Sequence, residues 1–114
     1  MSLERTREVD VMGVDKETGY ATLAIADDMD WSDERKHLAA LQDKIYAYLD
    51  FVESGEVDQK YPQGVGRNKE IRIYAKYDFP QVGLNFLKNV ATVVEQAGCR
   101  LLLTVLREAD LSAN

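Results

Sequence analysis

The clearest structural signal in the chain is KEIRIYAKY, residues 69–77. Apolar and polar side chains alternate along it. The apolar set is Ile71, Ile73, Ala75 and Tyr77. The polar set is Arg72, Tyr74 and Lys76. Because successive side chains of a strand point to opposite sides of the sheet, this pattern predicts a strand with one buried face and one solvated face.

A helix and a further strand follow this segment. Phe79-Pro80 ends the strand, because proline cannot continue a hydrogen-bonded ladder. The next segment is predicted to be a helix that ends at Gly98, with a buried stripe made of Phe86, Leu87, Val90, Val93, Val94 and Ala97. The last predicted strand, residues 100–107, is apolar on both faces. It should therefore be central in the sheet, or be covered on its second face by a partner.

An amphipathic helix precedes KEIRIYAKY. Asp30 or Ser32 is its predicted N-cap, and Gly55 marks its predicted end. Its buried stripe consists of Leu38, Leu41, Ile45, Tyr48, Leu49 and Val52. Residues 56–68 show no helical period and are predicted to form a long loop, with room for an extra turn or short strand. Loops of this length are often functional.

The chain starts with a predicted β-hairpin formed by residues 9–14 and 20–26. In the turn between them Gly19 takes a positive φ, and Asp15 hydrogen-bonds its own turn backbone. The predicted order is β-β-α-β-α-β. This order indicates an α+β two-layer sandwich, in which a four-stranded mixed or antiparallel sheet carries two helices on one face. We expect residues 1–114 to form a single domain, frayed over 1–7 and 108–114.

Composition limits the classes of function. The 114 residues carry 20 acidic against 14 basic side chains, a net charge of −6, which argues against a general nucleic-acid binder. No apolar run approaches the roughly 20 residues of a membrane span, and no signal-peptide core is present. The single cysteine, Cys99, cannot form an internal disulfide. We therefore expect a cytoplasmic protein that needs no cofactor to fold.

The acids and bases are divided unevenly along the chain. Residues 1–57 carry a net charge of −8, whereas residues 58–114 carry +2. The bases concentrate between residues 60 and 76, where tyrosines lie among them. These candidate binding residues are Lys60, Tyr61, Arg67, Lys69, Arg72, Tyr74 and Lys76. They could form a patch for an anionic partner, and the alternative is a solvated strand whose charges prevent edge-to-edge aggregation.

Several motifs together resemble a family of short bacterial proteins that is known only as a domain of unknown function. The similarity covers most of the chain and is densest in the first helix. The segments that carry it are GVDKETG (13–19), DWSDE (30–34), LQDKIYAYL (41–49), FVESGE (51–56) and Tyr61-Pro62. The resemblance implies a small bacterial α+β protein, and it supplies no reaction, cofactor or catalytic residue.

Other candidate sites have simpler structural explanations. Acids at the start of the first helix are expected to cap it, with a divalent-cation site as the alternative, and they are Asp27, Asp28, Asp30, Asp33 and Glu34. His37 and Cys99 would form a nucleophilic pair only if they met in space. Gly64 and Gly66 precede a strand, unlike the glycines of phosphate-binding loops, and favour a tight turn. Trp31 is expected to pack on the core, an exposed binding anchor being the alternative.

No catalytic residue and no metal or cofactor site emerges from these patterns. We therefore interpret the protein as a non-enzymatic binding or regulatory module that uses the open sheet face and residues 56–68 to contact a protein partner or a second copy of itself. One alternative is a small enzyme or ligand-binding domain for an anionic compound, with Arg67, Arg72 and Lys76 as its binding residues. Another is a structural subunit of a larger complex.

Overall fold

The computed structural model describes residues 11–106. Its strands and helices are β1 (Val11–Val14), β2 (Ala21–Asp27), α1 (Glu34–Glu53), α2 (Glu56–Lys60), β3 (Lys69–Ala75), α3 (Gln81–Gln96) and β4 (Cys99–Val105). A 3-10 turn covers Pro62–Gly64. The predicted frayed ends, residues 1–7 and 108–114, lie outside the described residues, as do the outermost residues of the predicted first and last strands. Within residues 11–106, no helix is long and apolar enough to cross a membrane.

The four strands form one mixed sheet in the order β1-β2-β3-β4. β1 is antiparallel to β2, whereas β2, β3 and β4 are mutually parallel. The connection from β2 to β3 contains α1, and the connection from β3 to β4 contains α3. Both connections advance in the same direction along the sheet, so right-handed crossovers place the two helices on the same face. The predicted α+β class with a mixed sheet is confirmed.

One apolar core lies between the sheet and the helices. It includes Leu23 and Ile25 of β2, Ile71 and Ile73 of β3, and the buried stripes of α1 and α3. The Tyr48 hydroxyl of α1 donates a buried hydrogen bond of 2.7 Å to the Ala24 carbonyl of β2, which anchors the helix on the sheet. Two residues predicted to be buried are not, since Tyr77 lies beyond the end of β3 and is 41% exposed, and Val93 is 39% exposed.

The hairpin turn and the two ends of α1 each depend on a few local residues. Asp15 Oδ1 accepts hydrogen bonds from the N–H groups of Glu17 and Thr18, and Gly19 has φ +77°, as predicted. Gly55, with φ +83°, follows the end of α1. The predicted N-cap, Asp30 or Ser32, was wrong. Asp33 caps the helix by accepting the Lys36 N–H at 3.1 Å, because a cap side chain must reach an N–H of the first turn.

Residues 56–68 are more ordered than the predicted long loop. They contain α2 and the 3-10 turn, and Val57 of α2 is buried in the core. The segment is held to the body of the protein by cations: Arg67 donates to the Gln63 and Gly19 carbonyls, and Lys69 donates to the Gly64 and Arg67 carbonyls. A five-residue helix is too short to show a periodic pattern, so the sequence did not indicate it.

β4 is not central. It pairs with β3 on one side only, and no other described strand pairs with it, so it forms an edge of the sheet. Residues 101–106 are all partly exposed. The prediction of a central strand was therefore wrong. The register also places Arg100 and Thr104 on the open face beside Leu102, so only the helix-side face of β4 is apolar throughout. A covering partner stays a prediction.

A single glycine of α3 should be intolerant of any side chain. A Cβ at Gly83 would lie 2.8 Å from Trp31 Cη2 and 2.9 Å from Phe79 Cδ2, closer than real contacts allow. Helix propensity by itself would make Gly83→Ala stabilising by about 1 kcal/mol. We expect instead a loss of about 1–3 kcal/mol in the free energy of unfolding, measured by urea denaturation, because the two rings must shift.

The matched control for this change is Asn89→Ala on the exposed side of α3, which should alter the free energy of unfolding by less than about 0.5 kcal/mol. A Gly83→Ala variant as stable as the wild type would show that the rings at the start of α3 are loosely packed.

Candidate functional site

The sheet face opposite the helices is built from alternate residues of the strands. The register places three rows across it. They are Gly13–Thr22–Glu70–Arg100, Ala24–Arg72–Leu102 and Ala26–Tyr74–Thr104. Small residues therefore dominate β1 and β2, whereas long side chains rise from β3 and β4. This asymmetry gives the face a trough along β2.

A buried carboxylate lies on this face near the start of β3. The Glu70 side chain is fully buried, and four donors converge on it. Nε and Nη2 of Arg100 both lie 2.8 Å from Oε1. The Thr22 hydroxyl donates to Oε2 at 2.8 Å, and Nη2 of Arg72 lies 3.2 Å from the same oxygen. Because a carboxylate has about four acceptor sites, the capacity of Glu70 is filled.

Arg100 makes a further contact, whereas Arg72 has one donor without a partner. The Arg100 guanidinium lies 3.7 Å from the centre of the Tyr20 ring, a cation–π stack. Arg72 is about a quarter exposed, and its Nε is buried with no hydrogen-bond partner among the described residues. Two cations thus share one buried carboxylate.

The trough forms a shallow groove of about 480 Å³ beside Arg72. Its lining residues are Gly13, Val14, Asp15, Thr22, Ala24, Ala26, Arg72 and Tyr74. Asp15 lies at the hairpin end of the groove. The backbone N–H groups of Glu17 and Thr18 hold the pKa of Asp15 below its usual value, so this carboxylate is charged at neutral pH.

The structure divides the seven predicted binding residues. Arg72 and Tyr74 line the groove on the open face. Arg67 and Lys69 lie near the start of β3, where their cationic groups bind backbone carbonyls, and Lys69 also lies 3.4 Å from Asp58. Lys76 is exposed beyond the other end of β3, about 23 Å from Lys69 at roughly 3.3 Å per residue.

The two remaining predicted residues belong to the segment after α1. Lys60 is exposed at the end of α2, and Tyr61 is partly buried against Gly64. The geometry therefore brings two of the seven residues into one groove and places the others around the ends of β3.

A second buried polar pair lies on the helix side of the sheet, at the end of β2. The side chains of Asp27 and His37 are both fully buried, and His37 Nε2 lies 2.7 Å from Asp27 Oδ2. Nδ1 of His37 lies 3.0 Å from the Asp30 carbonyl, which can only accept, so Nδ1 carries a hydrogen. Nε2 of His37 and the side chain of Asp27 thus form a buried hydrogen bond. Burial raises the pKa of Asp27, while the hydrogen bond from His37 acts in the opposite direction.

Aromatic rings enclose this pair. Trp31 stacks on His37 with 3.7 Å between ring centres, and Phe79 packs edge-on against Trp31 at 4.8 Å. Trp31 therefore packs against the core, as predicted.

The acids near the start of α1 are engaged in local structure. Asp30 accepts hydrogen bonds from the Ser32 N–H and hydroxyl, which hold the pKa of Asp30 below its usual value. Asp33 caps the helix. Among residues 11–106, no cluster of three or more His, Cys, Asp or Glu could hold a metal ion.

Cys99 and His37 do not meet. Cys99 lies in the same row of the sheet as Ala21, whereas the partner of His37 is Asp27, six residues further along β2 and about 20 Å away. Cys99 is buried, and burial raises the pKa of its thiol, which opposes thiolate chemistry.

Sequence reasoning missed Glu70, Arg100 and Asp27 as partners in these networks. One signal for Glu70 was available. It is the single acid among the bases of residues 60–76, and the alternation of a strand places it on the same face as Arg72 and Tyr74. Arg100 could not be matched with Glu70, because the pairing of β4 with β3 is a property of strand order.

Comparison with known proteins adds a family and no activity. A family model described as a family of unknown function (DUF6572) matches residues 1–107. No curated protein and no solved structure matches the chain significantly.

Proposed function

Since the chain belongs to this family of unknown function, membership brings no activity with it, and we propose from the geometry that the protein is a non-enzymatic protein-binding module. It binds by strand addition along the free edge of β4, and its partner is a second copy of the same chain. The observation that supports this function is an edge strand of seven residues that is apolar throughout on its helix side and carries Leu102 on its open face.

The outer edge of β4 presents backbone groups for pairing. The Leu106 N–H donates to the Ala75 carbonyl of β3 at 2.8 Å. Alternate residues of a parallel ladder turn their N–H and C=O groups to the same side. The backbone N–H and C=O groups therefore face β3 at Arg100, Leu102 and Thr104. Those of Leu101, Leu103 and Val105 point outward, away from the sheet.

This edge lacks the features that usually prevent edge-to-edge pairing. Exposed edges are normally protected by proline, lysine, a bulge or a short strand. β4 contains no proline or lysine, and its one cation, Arg100, is held by Glu70. An unprotected edge of this length favours a partner strand.

A second copy fits the chemistry of this edge. A strand added to β4 must match an apolar helix-side face and an open face that carries Leu102 between Arg100 and Thr104, and an antiparallel β4 does so by two-fold symmetry. Pairing centred on Leu102 places Leu101 opposite the Leu103 of the second copy. It also places Arg100 opposite Thr104, so that no two like charges face each other.

We expect Leu102→Glu to dissociate this dimer. The two introduced carboxylates would face each other across the symmetry axis and weaken association by at least about tenfold. In the folded monomer the new carboxylate would lie beside Arg72, its neighbour in the register, so the fold should survive. Size-exclusion chromatography with light scattering over a range of concentrations measures the change.

The matched control is Gln42→Glu, an equal charge change on the exposed face of α1, which should leave the dimer intact.

In a Cys99→Ala background, Leu102→Cys should form an intermolecular disulfide, because non-hydrogen-bonded antiparallel pairs have the required Cα spacing of about 4.5 Å. A wild-type protein that stays monomeric at all concentrations would refute a second copy as the partner.

A further inference from the structure

We propose that α3 supplies a second contact surface of the dimer, on which the α3 helices of the two copies pack side by side across the two-fold axis. This contact rests on the proposed function, because it forms only when β4 pairs with the β4 of a second copy. Three observations support it. They are the place of α3 above the sheet, an exposed apolar strip beside the free edge, and two opposite charges on the same flank of α3.

Strand pairing at the β4 edge brings the two α3 helices to packing distance. The two-fold axis of an antiparallel pair is perpendicular to the sheet, so both copies keep their helices on the same face of one continuous sheet. Strands lie about 4.8 Å apart and helices pack about 8–10 Å apart, so one helix covers about two strands. The described sheet of four strands carries two long helices, which places α3 above β3 and β4. Its symmetry mate then lies about two strand spacings away, roughly 10 Å.

The handedness of the chain decides which flank of α3 faces the second copy. α3 joins two parallel strands by a right-handed crossover, and it therefore runs antiparallel to them. In a right-handed helix, successive residues advance clockwise when they are seen from the N-terminal end. The flank that lies clockwise of the buried side therefore faces the free edge of β4. The buried side consists of Gly83, Leu87, Val90 and Val94. At 3.6 residues per turn, the flank facing the edge consists of Leu84, Lys88, Ala91 and Glu95.

An exposed apolar strip runs from this flank onto the sheet. Leu84 is 43% exposed and Ala91 is partly exposed. Leu101, Leu103 and Val105 of β4 lie below them on the helix side, and they are partly exposed at the edge of the described sheet. A second α3 would remove this strip from water, and the small side chain of Ala91 permits a close approach of the two helices.

The height of the two-fold axis along α3 brings opposite charges together. The axis passes beside Leu102, which lies three residues, or about 10 Å, beyond Cys99. At 1.5 Å per residue, the same height on α3 is about seven residues before its end at Gln96. Symmetry then leaves Lys88 of one copy about 6 Å along the helix axis from Glu95 of the other. Both side chains are exposed and long enough to meet, so the dimer gains two equal ion pairs.

A substitution at the helix contact tests the packing, with the dissociation constant of the dimer measured by sedimentation equilibrium. Ala91→Lys adds a long side chain and a cation close to Lys88 of the second copy, and should weaken the dimer by at least about tenfold. Lysine is a good helix former, so the monomer should keep its fold. The control, Thr92→Lys, makes the same charge change on the exposed face of α3 that points away from the sheet, and should leave the dissociation constant within about threefold of wild type.

Charge reversal tests the ion pairs separately from the packing. Lys88→Glu brings like charges together twice in each dimer, and should weaken it by about tenfold at low salt and by less at high salt. Adding Glu95→Lys to Lys88→Glu restores two pairs of opposite charges, and the double variant should return to within about threefold of the wild-type dissociation constant. Truncation of a single exposed partner to alanine would change stability little, and therefore reversal is the sharper test.

Three outcomes would overturn the proposal. If Leu102→Glu dissociates the dimer while Ala91→Lys and Lys88→Glu leave it intact, the copies pair through β4 by itself, and strand addition stands without the helix contact. If the double reversal binds no better than Lys88→Glu, Lys88 and Glu95 do not face each other across the axis. If the wild-type protein is monomeric at all concentrations, the strand pairing and the helix contact are both refuted.

Discussion

Replacing His37 with alanine should lower the free energy of unfolding by about 3–5 kcal/mol at neutral pH. The change leaves the fully buried Asp27 without the imidazole 2.7 Å away, and it also removes the ring on which Trp31 stacks. Removing one member of a buried pair is costly, because the other charge stays desolvated and unpaired. Urea denaturation followed by circular dichroism measures the loss.

The loss should depend on pH. Burial raises the pKa of Asp27 in the folded protein, and without His37 the pKa should rise further, because the opposing hydrogen bond is gone. A group whose folded pKa is raised contributes stability below its unfolded value, near 3.8, and this stability is lost as the pH rises through the folded pKa. The difference between His37→Ala and wild type should therefore be smaller at pH 4 than at pH 6.

A second substitution separates charge from packing. Adding Asp27→Asn to His37→Ala removes the orphaned carboxylate, and the double variant should be more stable at neutral pH than His37→Ala by itself. If the double variant is the less stable of the two, the effect of His37 comes from its packing against Trp31, and the charge of Asp27 has no part in it.

The loss of Glu70 should be the other large effect on stability. Glu70→Ala should lower the free energy of unfolding by about 2–4 kcal/mol, because Arg72 and Arg100 then lose their shared carboxylate and Thr22 loses its acceptor. We place this below the effect of His37→Ala, since both arginines are partly exposed and water can replace some of the lost bonds.

Chemical denaturation of three variants tests this network. Glu70→Gln keeps an acceptor of the same shape, so its loss should be smaller than that of Glu70→Ala. Glu95→Ala, on the exposed side of α3, is the matched control and should change the free energy of unfolding by less than about 0.5 kcal/mol. A loss below about 1 kcal/mol for Glu70→Ala would mean that the network contributes no more to the free energy of unfolding than a surface ion pair does.

Much of the fold was predictable because its elements carry periodic patterns. The alternation of residues 69–77 predicted β3, and apolar residues at helical spacing predicted α1 and α3. The hairpin turn was predictable from Asp15 and Gly19, because the roles of these two residues depend only on the backbone of the turn itself. Errors occurred where several candidates lay close together, as at the α1 N-cap, or where a segment was too short for a pattern, as in α2.

The candidate sites were less predictable, because their members are distant in the chain. Glu70 and Arg100 are separated by 30 residues, and they meet only because β3 and β4 are neighbours in register. The basic stretch between residues 60 and 76 appeared continuous in sequence, yet an extended strand distributes such residues along its length and over both its faces.

By itself, the sequence determined the four strands, the helices α1 and α3, the α+β class and the leucine-rich character of β4, because these follow from side-chain patterns within single segments. The tertiary structure decided that β4 lies at an edge, that Glu70 is buried between two arginines, and that Asp27 meets His37. These outcomes depend on strand order and register, which are set by the packing of the whole chain, and no local segment encodes them.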